Sequence, residues 1–250
     1  MVKEIAKIVK RDVLKGNTYS WILQCKETAK TAKPGQFVDI LVEGFNLRRP
    51  ISICEIFNDS IRIVFDVRGK GTAKMANLLV GDMVDMLAPL GNGFSKMLPG
   101  QKLLVVGGGI GTPPMVELSK HADFVKAIIG FKTKDAIILK DDYEKLGETI
   151  VCTDDGSMGR KGFVTDALRD ILETEKFDRI AACGPKPMLK GIKEIADEFN
   201  IFCELSLEDR MACGIGACLG CQCFVKSGDK QLSARVCKGG PVFKSNEVIL

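Results

Sequence analysis

The chain has 250 residues, 46% hydrophobic and 27% charged, close to the averages of soluble globular proteins. This length suffices for one large domain or two to three small ones, and the composition excludes wholesale disorder. Lysine and arginine total 36 against 32 acidic residues, so the net charge of +4 is too small to indicate nucleic-acid binding. No apolar run approaches the roughly 18 residues of a membrane span, and the N-terminal residues lack the apolar centre of a signal peptide. We therefore predict a cytoplasmic protein without membrane attachment, whose cysteines stay reduced.

The first 98 residues carry the pattern of an all-β domain. The predicted strands cover residues 18–25, 35–42, 50–56, 60–67 and 82–90. Gly, Pro, Asn and Asp separate them at short intervals, which indicates a small barrel or sandwich. One helical segment follows Gly71.

From residue 99 to residue 207, apolar strands alternate with helices. The predicted strands cover residues 102–109, 124–131, 149–157, 178–185 and 203–208. The predicted helices between them cover residues 113–122, 135–146, 164–175 and 187–200. This alternation predicts a parallel, doubly wound sheet, whereas residues 208–250 are expected to hold a cysteine cluster and little else.

The chain has 10 cysteines, which fall into two groups. Five lie in apolar runs and are interpreted as small buried hydrophobes: Cys25, Cys54, Cys152, Cys183 and Cys203. The other group contains the spacing C-x4-C-x2-C with a fourth cysteine 16 positions later: Cys213, Cys218, Cys221 and Cys237. This spacing is typical of a plant-type [2Fe–2S] cluster, and the intervening glycines permit the tight loop that a cluster needs. A structural zinc site is the alternative, although zinc usually takes a second C-x2-C pair, and Cys223 could either ligate or pack.

Two turns of the predicted sheet are candidates for nucleotide binding. The first is the glycine-rich turn after the strand at 102–109, with Gly107, Gly108, Gly109 and Gly111. The second is the turn at Cys183 and Gly184. Strand ends with bare backbone accept a pyrophosphate, but a turn that needs glycine for packing is the alternative. Asp154 and Asp155 follow the third strand and would suit ribose hydroxyls, or else cap a turn.

The segments 47–53 and 68–75 form a third candidate, because Arg49, Ser52, Gly71 and Thr72 could together clamp a diphosphate. A basic strand end is the ordinary alternative. The chain has one histidine, His121, which makes hydrolysis through a Ser–His–Asp or Cys–His arrangement a poor fit. Redox chemistry is favoured, because it needs positioned cofactors more than protein acids and bases.

These motifs resemble the ferredoxin–NADP reductase superfamily, and within it the iron–sulfur electron-transfer subunits of type B dihydroorotate dehydrogenase. The segments that carry the resemblance are RRPISI, GKGT, APLGNGF, VGGGIGTPP, CGPKPML and VCKGGPVF. The resemblance implies three domains: an FAD-binding antiparallel β-barrel (1–98), an NAD-binding Rossmann-like domain (99–207) and a [2Fe–2S] module (208–250). It also implies flavin contacts at Arg49, Pro50, Ile51, Ser52, Val64, Phe65, Asp66, Gly71 and Thr72. Asp66 departs from the family pattern, since relatives often carry arginine there, and Arg68 could supply that charge.

The implied activity is that of an oxidoreductase subunit in pyrimidine biosynthesis. A partner subunit carrying FMN would oxidise dihydroorotate, and electrons would pass through the cluster and FAD to NAD⁺, in a heterotetramer of two subunits of each kind. We expect NADH to be preferred over NADPH, because the carboxylates near Asp155 would repel a 2′-phosphate. The alternative is a reductase of the same build that feeds a ferredoxin, an oxygenase or a hydrogenase-type complex.

Overall fold

The N-terminal part of the chain is a closed antiparallel barrel, in a computed structural model that describes all 250 residues. Its strands are β1 (Val2–Lys15), β2 (Thr18–Gln24), β3 (Phe37–Ile40), β4 (Arg49–Ile56), β5 (Ser60–Asp66) and β6 (Met83–Leu90). They are hydrogen-bonded in the order β1-β2-β5-β4-β3-β6. Two short helices, α1 (Lys26–Thr31) and α2 (Lys70–Ala76), lie between strands. Trp21 is fully buried in the barrel and meets Phe65 edge to face at 4.8 Å, as alternating inward residues of a barrel do.

The second part is a sheet with helices on its two faces. Its strands are β7 (Lys102–Gly108), β8 (Phe124–Phe131), β9 (Glu148–Thr153), β10 (Arg160–Lys161), β11 (Arg179–Cys183) and β12 (Phe202–Ser206). Its helices are α3 (Val116–Ser119), α4 (Lys140–Glu144), α5 (Val164–Thr174) and α6 (Lys186–Glu198). The strands lie in the order β10-β9-β8-β7-β11-β12 and are parallel. Strands β8 to β10 are added on one side of β7 and strands β11 and β12 on the other, so the strand order reverses between β7 and β11. Ligands of such sheets bind outside the strand ends at this reversal.

The C-terminal residues form more structure than the sequence analysis expected. Strands β13 (Gln222–Ser227) and β14 (Lys230–Arg235) form a hairpin, which β16 (Val248–Ile249) extends to three strands. Strand β15 (Val242–Lys244) leaves this module and pairs antiparallel with β12. The sheet of the second part is therefore mixed, and its last strand comes from the end of the chain.

The predicted fold class is confirmed, with local corrections. Strand β1 was not predicted as an element. The helix expected at 113–122 is a 3₁₀ turn at Pro113–Met115 followed by α3, and the one expected at 135–146 is broken where Leu139 adopts a φ of 58°. The five scattered cysteines are buried as expected. No helix combines the length and apolar composition needed to cross a membrane.

Candidate functional site

The four cysteines of the spacing motif come together beside the barrel. The backbone N–H of Cys218 donates to Cys213 Sγ at 3.3 Å, and that of Cys237 donates to Cys221 Sγ at 3.4 Å. The thiols of Cys213 and Cys218 interact, as do those of Cys221 and Cys237. The sulfurs thus form two pairs and not a group of three or more around one point. Two thiol pairs are the donor set of a binuclear cluster with four cysteine ligands.

The backbone around these sulfurs is suited to hold negative charge. Although burial raises it, N–H groups of Cys218, Ile215 and Ala217 lower the pKa of the Cys213 thiol to about 6. Burial, and then the neighbouring Cys221 thiol, raises the pKa of Cys237 to about 12. N–H groups aimed at sulfur stabilise thiolates and tune a bound cluster. The residues present therefore fit an iron–sulfur cluster.

The loop that carries three of these cysteines lies against strand β3. Gly214 has a φ of 65°, and a Cβ added there would lie 2.2 Å from Asp39 Oδ2. Glycine is therefore required at this position both for its backbone conformation and for the close approach to the barrel. The Asp39 side chain is 1% exposed, and burial raises the pKa of its carboxyl to about 6 although Arg48 and Arg49 oppose the shift.

Cys223 lies outside the two pairs. It is on β13, opposite Ala234. Its half-buried side chain packs against two clusters of buried apolar residues. Burial, then the nearby Cys221, raises the pKa of the Cys223 thiol. This placement agrees with a packing role.

A cavity of about 440 Å³ lies beside α2 and is lined by Phe45, Arg49, Arg68, Gly69, Lys70, Gly71 and Thr72. The Arg49 guanidinium lies 4.8 Å above the Phe45 ring and is held by the carbonyl of Leu47 at 2.6 Å. A Cβ at Gly71 would lie 2.1 Å from Arg49 Nε, so only glycine leaves room for this arrangement. Three cationic side chains and bare backbone fit an anionic diphosphate.

The other predicted flavin contacts differ in burial, and some of them lie outside this cavity. The Thr72 hydroxyl accepts hydrogen bonds from the N–H groups of Arg68 and Gly69, at 2.9 and 3.2 Å, and so shapes this loop. Pro50, Ile51 and Ser52 are half-buried on β4. On β5, the side chains of Val64 and Phe65 belong to apolar cores, whereas Asp66 lines the larger cleft described next.

A cleft of about 1120 Å³ opens between the barrel and the carboxyl ends of the parallel strands. Gly108, Gly109 and Gly184 line it. Gly107 and Gly111 are buried and lie outside the cleft lining. A Cβ at Gly107 would lie 2.7 Å from the Thr112 side chain, and one at Gly111 would lie 2.4 Å from a backbone oxygen. The Cys183 side chain is buried beneath the turn, where burial raises the pKa of its thiol.

The two carboxylates after β9 face different ways. Asp154 lines the cleft. Asp155 accepts hydrogen bonds from the N–H of Ser157 at 2.9 Å and from its hydroxyl at 2.6 Å, which lower the pKa of its carboxyl. Asp155 thus has the turn-capping position that the sequence left open, and Asp154 is the carboxylate on the cleft wall.

Comparisons with known proteins agree with this arrangement of a barrel, a parallel sheet and a cysteine module. Residues 208–249 match the family model described as the iron-sulfur cluster binding domain of dihydroorotate dehydrogenase B. The chain is 39% identical to the dihydroorotate dehydrogenase B (NAD(+)) electron transfer subunit of Caldanaerobacter subterraneus subsp. tengcongensis, covering 98% of this chain and 97% of that protein. The chain belongs to this family. The subunit of the same name from Fusobacterium nucleatum is 41% identical, with 98% and 94% covered.

Solved structures extend the comparison of this dihydroorotate dehydrogenase B-type subunit. A chain from NADH-dependent reduced ferredoxin-NADP oxidoreductase superposes with a TM-score of 0.87 at 31% identity, covering 98% of this chain and 89% of that chain. The ferredoxin reductase of carbazole 1,9a-dioxygenase shares the fold, with a TM-score of 0.64 at 22% identity over 80% of this chain and 65% of that chain.

One residue of this family member's cleft, Glu208, was missed by sequence reasoning, whereas Arg68 was named there as a possible flavin contact. Arg68 lines both cavities and lies 3.5 Å from Asp66. Glu208 also lines the cleft, where its residue is exposed to solvent. The segment between Asp66 and Gly71 was identified from its motif, but nothing in the sequence placed Glu208 opposite it.

Proposed function

We propose that this chain is the electron-transfer subunit of a dihydroorotate dehydrogenase complex and exchanges electrons between a partner subunit and NAD. The observation that carries the proposal is the direct packing of the cysteine loop on the barrel that forms the diphosphate cavity. Gly214 meets Asp39 there, and Phe37 and Leu90 of the barrel pack with Cys221 and Cys237. When bound, the cluster supplies one-electron transfer, and FAD supplies both one-electron and two-electron transfer.

In this proposal each cavity has its own ligand. Arg49 and Arg68, with the backbone at Gly71, bind the FAD diphosphate in the smaller cavity. Gly108, Gly109 and Gly184 accept NAD at the strand ends in the larger cleft, a position typical of doubly wound sheets. Acid-released flavin identified by chromatography tests the first assignment, and recovery of FMN alone from the isolated subunit would contradict it.

The nicotinamide nucleotide is proposed to be NADH. Asp154 on the cleft wall would repel a 2′-phosphate. Arg160 is engaged with Asp170 at 2.7 Å and is therefore not free to offset that repulsion. Lys132 and Arg169 are the cations of the strand–helix domain that line the cleft, and Arg169 is paired with Glu198 at 2.7 Å. The preference is measured as the ratio of kcat/KM for the two nucleotides with an artificial dye as acceptor.

The cluster is proposed to be ligated by Cys213, Cys218, Cys221 and Cys237. We expect serine at any of the four to lower iron and sulfide per chain to below half of the wild-type content, because a thiolate ligand is lost. Cys223→Ser is the matched control, since its side chain packs outside the pairs, and it should keep both. Loss of the cluster in the control with retention in Cys237→Ser would contradict the assignment.

The partner is proposed to be an FMN-containing dihydroorotate dehydrogenase catalytic subunit, in an assembly of two subunits of each kind. Co-purification from the source cell, with flavin analysis and the mass of the complex, tests both points. The alternative is a reductase that serves a ferredoxin-linked complex. The observation that supports this alternative is the TM-score of 0.87 to NADH-dependent reduced ferredoxin-NADP oxidoreductase. Recovery of a ferredoxin-linked partner without FMN would support that alternative.

A further inference from the structure

Arg235 connects the two chain segments that carry the paired cysteines. It is the last residue of β14, two positions before Cys237, and its side chain is half-buried. Its Nη1 donates to the carbonyl oxygen of Gly216, in the loop between Cys213 and Cys218. The same residue's carbonyl accepts the N–H groups of Lys238 and Gly239. One residue therefore holds both the three-cysteine loop and the turn after the fourth cysteine.

The peptide that Arg235 contacts lies in the loop that holds the Cys213 sulfur. The carbonyl of Gly216 shares its peptide unit with the N–H of Ala217, and the next N–H of the loop, that of Cys218, donates to Cys213 Sγ at 3.3 Å. The N–H of Cys237, two positions after Arg235, donates to Cys221 Sγ at 3.4 Å. Hydrogen bonds in series polarise one another, most of all when one donor is charged. The guanidinium therefore strengthens an N–H···S contact to a ligand that it does not touch itself.

We propose that Arg235 is a positioning residue that raises the reduction potential of the cluster. The inference rests on the proposed function, because it assumes that the four cysteines hold a [2Fe–2S] cluster. A cluster that takes up one electron gains one negative charge, so a fixed cation and a stronger N–H···S bond stabilise the reduced form more than the oxidised form. Arginine keeps its charge at every accessible pH, and its planar guanidinium fixes the direction of its donors, whereas lysine carries a mobile point charge.

Lys238 is a second cation near the same loop. Its aliphatic stem lies across Gly216, where an added Cβ would meet its Cδ at 2.7 Å. Its residue is exposed to solvent, so we expect its charge to be screened and its effect to be smaller than that of Arg235.

The test measures the midpoint potential of the cluster by EPR-monitored titration of the full chain with FAD. The variants are Arg235→Gln, Arg235→Lys and Lys230→Gln. The last is the control, because Lys230 is an exposed cation at the far end of β14. Iron and sulfide are counted in every sample, so that a change in potential is separated from a loss of cluster.

We expect Arg235→Gln to reduce the ratio of reduced to oxidised cluster about tenfold at a fixed potential, a fall of about 59 mV. Arg235→Lys should give a smaller fall, and Lys230→Gln should match the wild type. An unchanged potential in Arg235→Gln with full iron overturns the proposal. If Arg235→Gln does not retain iron, the uncharged Arg235→Met is measured in its place, and a wild-type potential there overturns the proposal. A wild-type chain without iron and sulfide would instead contradict the proposed function.

Discussion

Asp39 is a buried acidic residue of the barrel that packs against Gly214 of the cysteine loop, and its effect on the stability of the barrel can be tested directly. Its carboxyl group is 1% exposed, and Oδ1 has no hydrogen-bond partner. Burial raises its pKa from 3.8 to about 6, while Arg48 and Arg49 act in the opposite direction. Because the charged form is disfavoured in the folded chain, we predict that Asp39→Asn stabilises the barrel at neutral pH.

The magnitude follows from the shift of the pKa. A rise from 3.8 to about 6 is about two units. At ~1.4 kcal/mol per unit, this corresponds to ~3 kcal/mol between the two extremes of pH. The folded-state pKa is the higher one, so the stabilisation from protonation is complete below pH 3.8 and is lost as pH rises through about 6. The stabilising effect of Asp39→Asn should therefore grow by ~1.4 kcal/mol between about pH 5 and about pH 8.

Trp21 makes the measurement specific, because it is the single tryptophan and lies inside the barrel. Urea unfolding followed by its fluorescence at both pH values gives the free energy of unfolding of wild type and Asp39→Asn. Asp12→Asn is the control, since the Asp12 side chain is 44% exposed on the same barrel. A difference between wild type and Asp39→Asn that does not change with pH would refute the reasoning.

Other substitutions test the loop, the cleft and the contact between domains. Gly214→Ala should reduce iron content at least twofold, because its Cβ would meet the Asp39 carboxylate, whereas Gly228→Ala, with a similar φ of 60° and nothing within 4 Å, should not; equal losses would contradict the collision. Asp154→Ser should raise kcat/KM for NADPH about fivefold, as expected from ~1 kcal/mol of like-charge repulsion removed, and no gain in the dye assay would contradict its placement. Arg62→Met should lower the free energy of unfolding by about 2 kcal/mol, because Glu55 of the barrel, 13% exposed, and Asp142 of α4 both lose this cation. Adding Glu55→Gln should recover part of that loss in urea titrations, and strict additivity would contradict the pairing.

The grouping of the four cysteines and the position of most strands could be predicted because their signals are local. A loop that must point three thiols inward has a fixed spacing, and apolar runs between turn residues locate β7 and β8 within a residue. Strand β1 was missed although its inward residues, such as Ala6 and Ile8, alternate with charged ones, which is the pattern of a half-buried strand. Local pattern alone does not reveal which strand such a segment joins.

The remaining features depend on individual side-chain hydrogen bonds, some local and some between distant parts of the chain. Asp154 and Asp155 are neighbours in sequence, and only the hydrogen bonds to Ser157 decide which one lines the cleft. Likewise, the hydrogen bond from Arg235 to Gly216 joins segments that no spacing rule relates. Propensity and motif therefore located the site, and tertiary packing decided the roles of individual side chains.

The pairing of β15 with β12 has a consequence for how the chain reaches its native state. Strand β15 follows the cysteine hairpin, so the edge of the central sheet stays open until residues beyond that hairpin have been made. Asn92, at the end of the barrel, adds to this dependence, since its amide donates to the carbonyls of Lys238 and Gly239. During synthesis the barrel can close first, but the sheet can be completed only after the cysteine hairpin has been made. A nascent chain stalled before β15 would expose an unpaired strand, and shortening the C-terminus should promote aggregation as well as loss of the cluster.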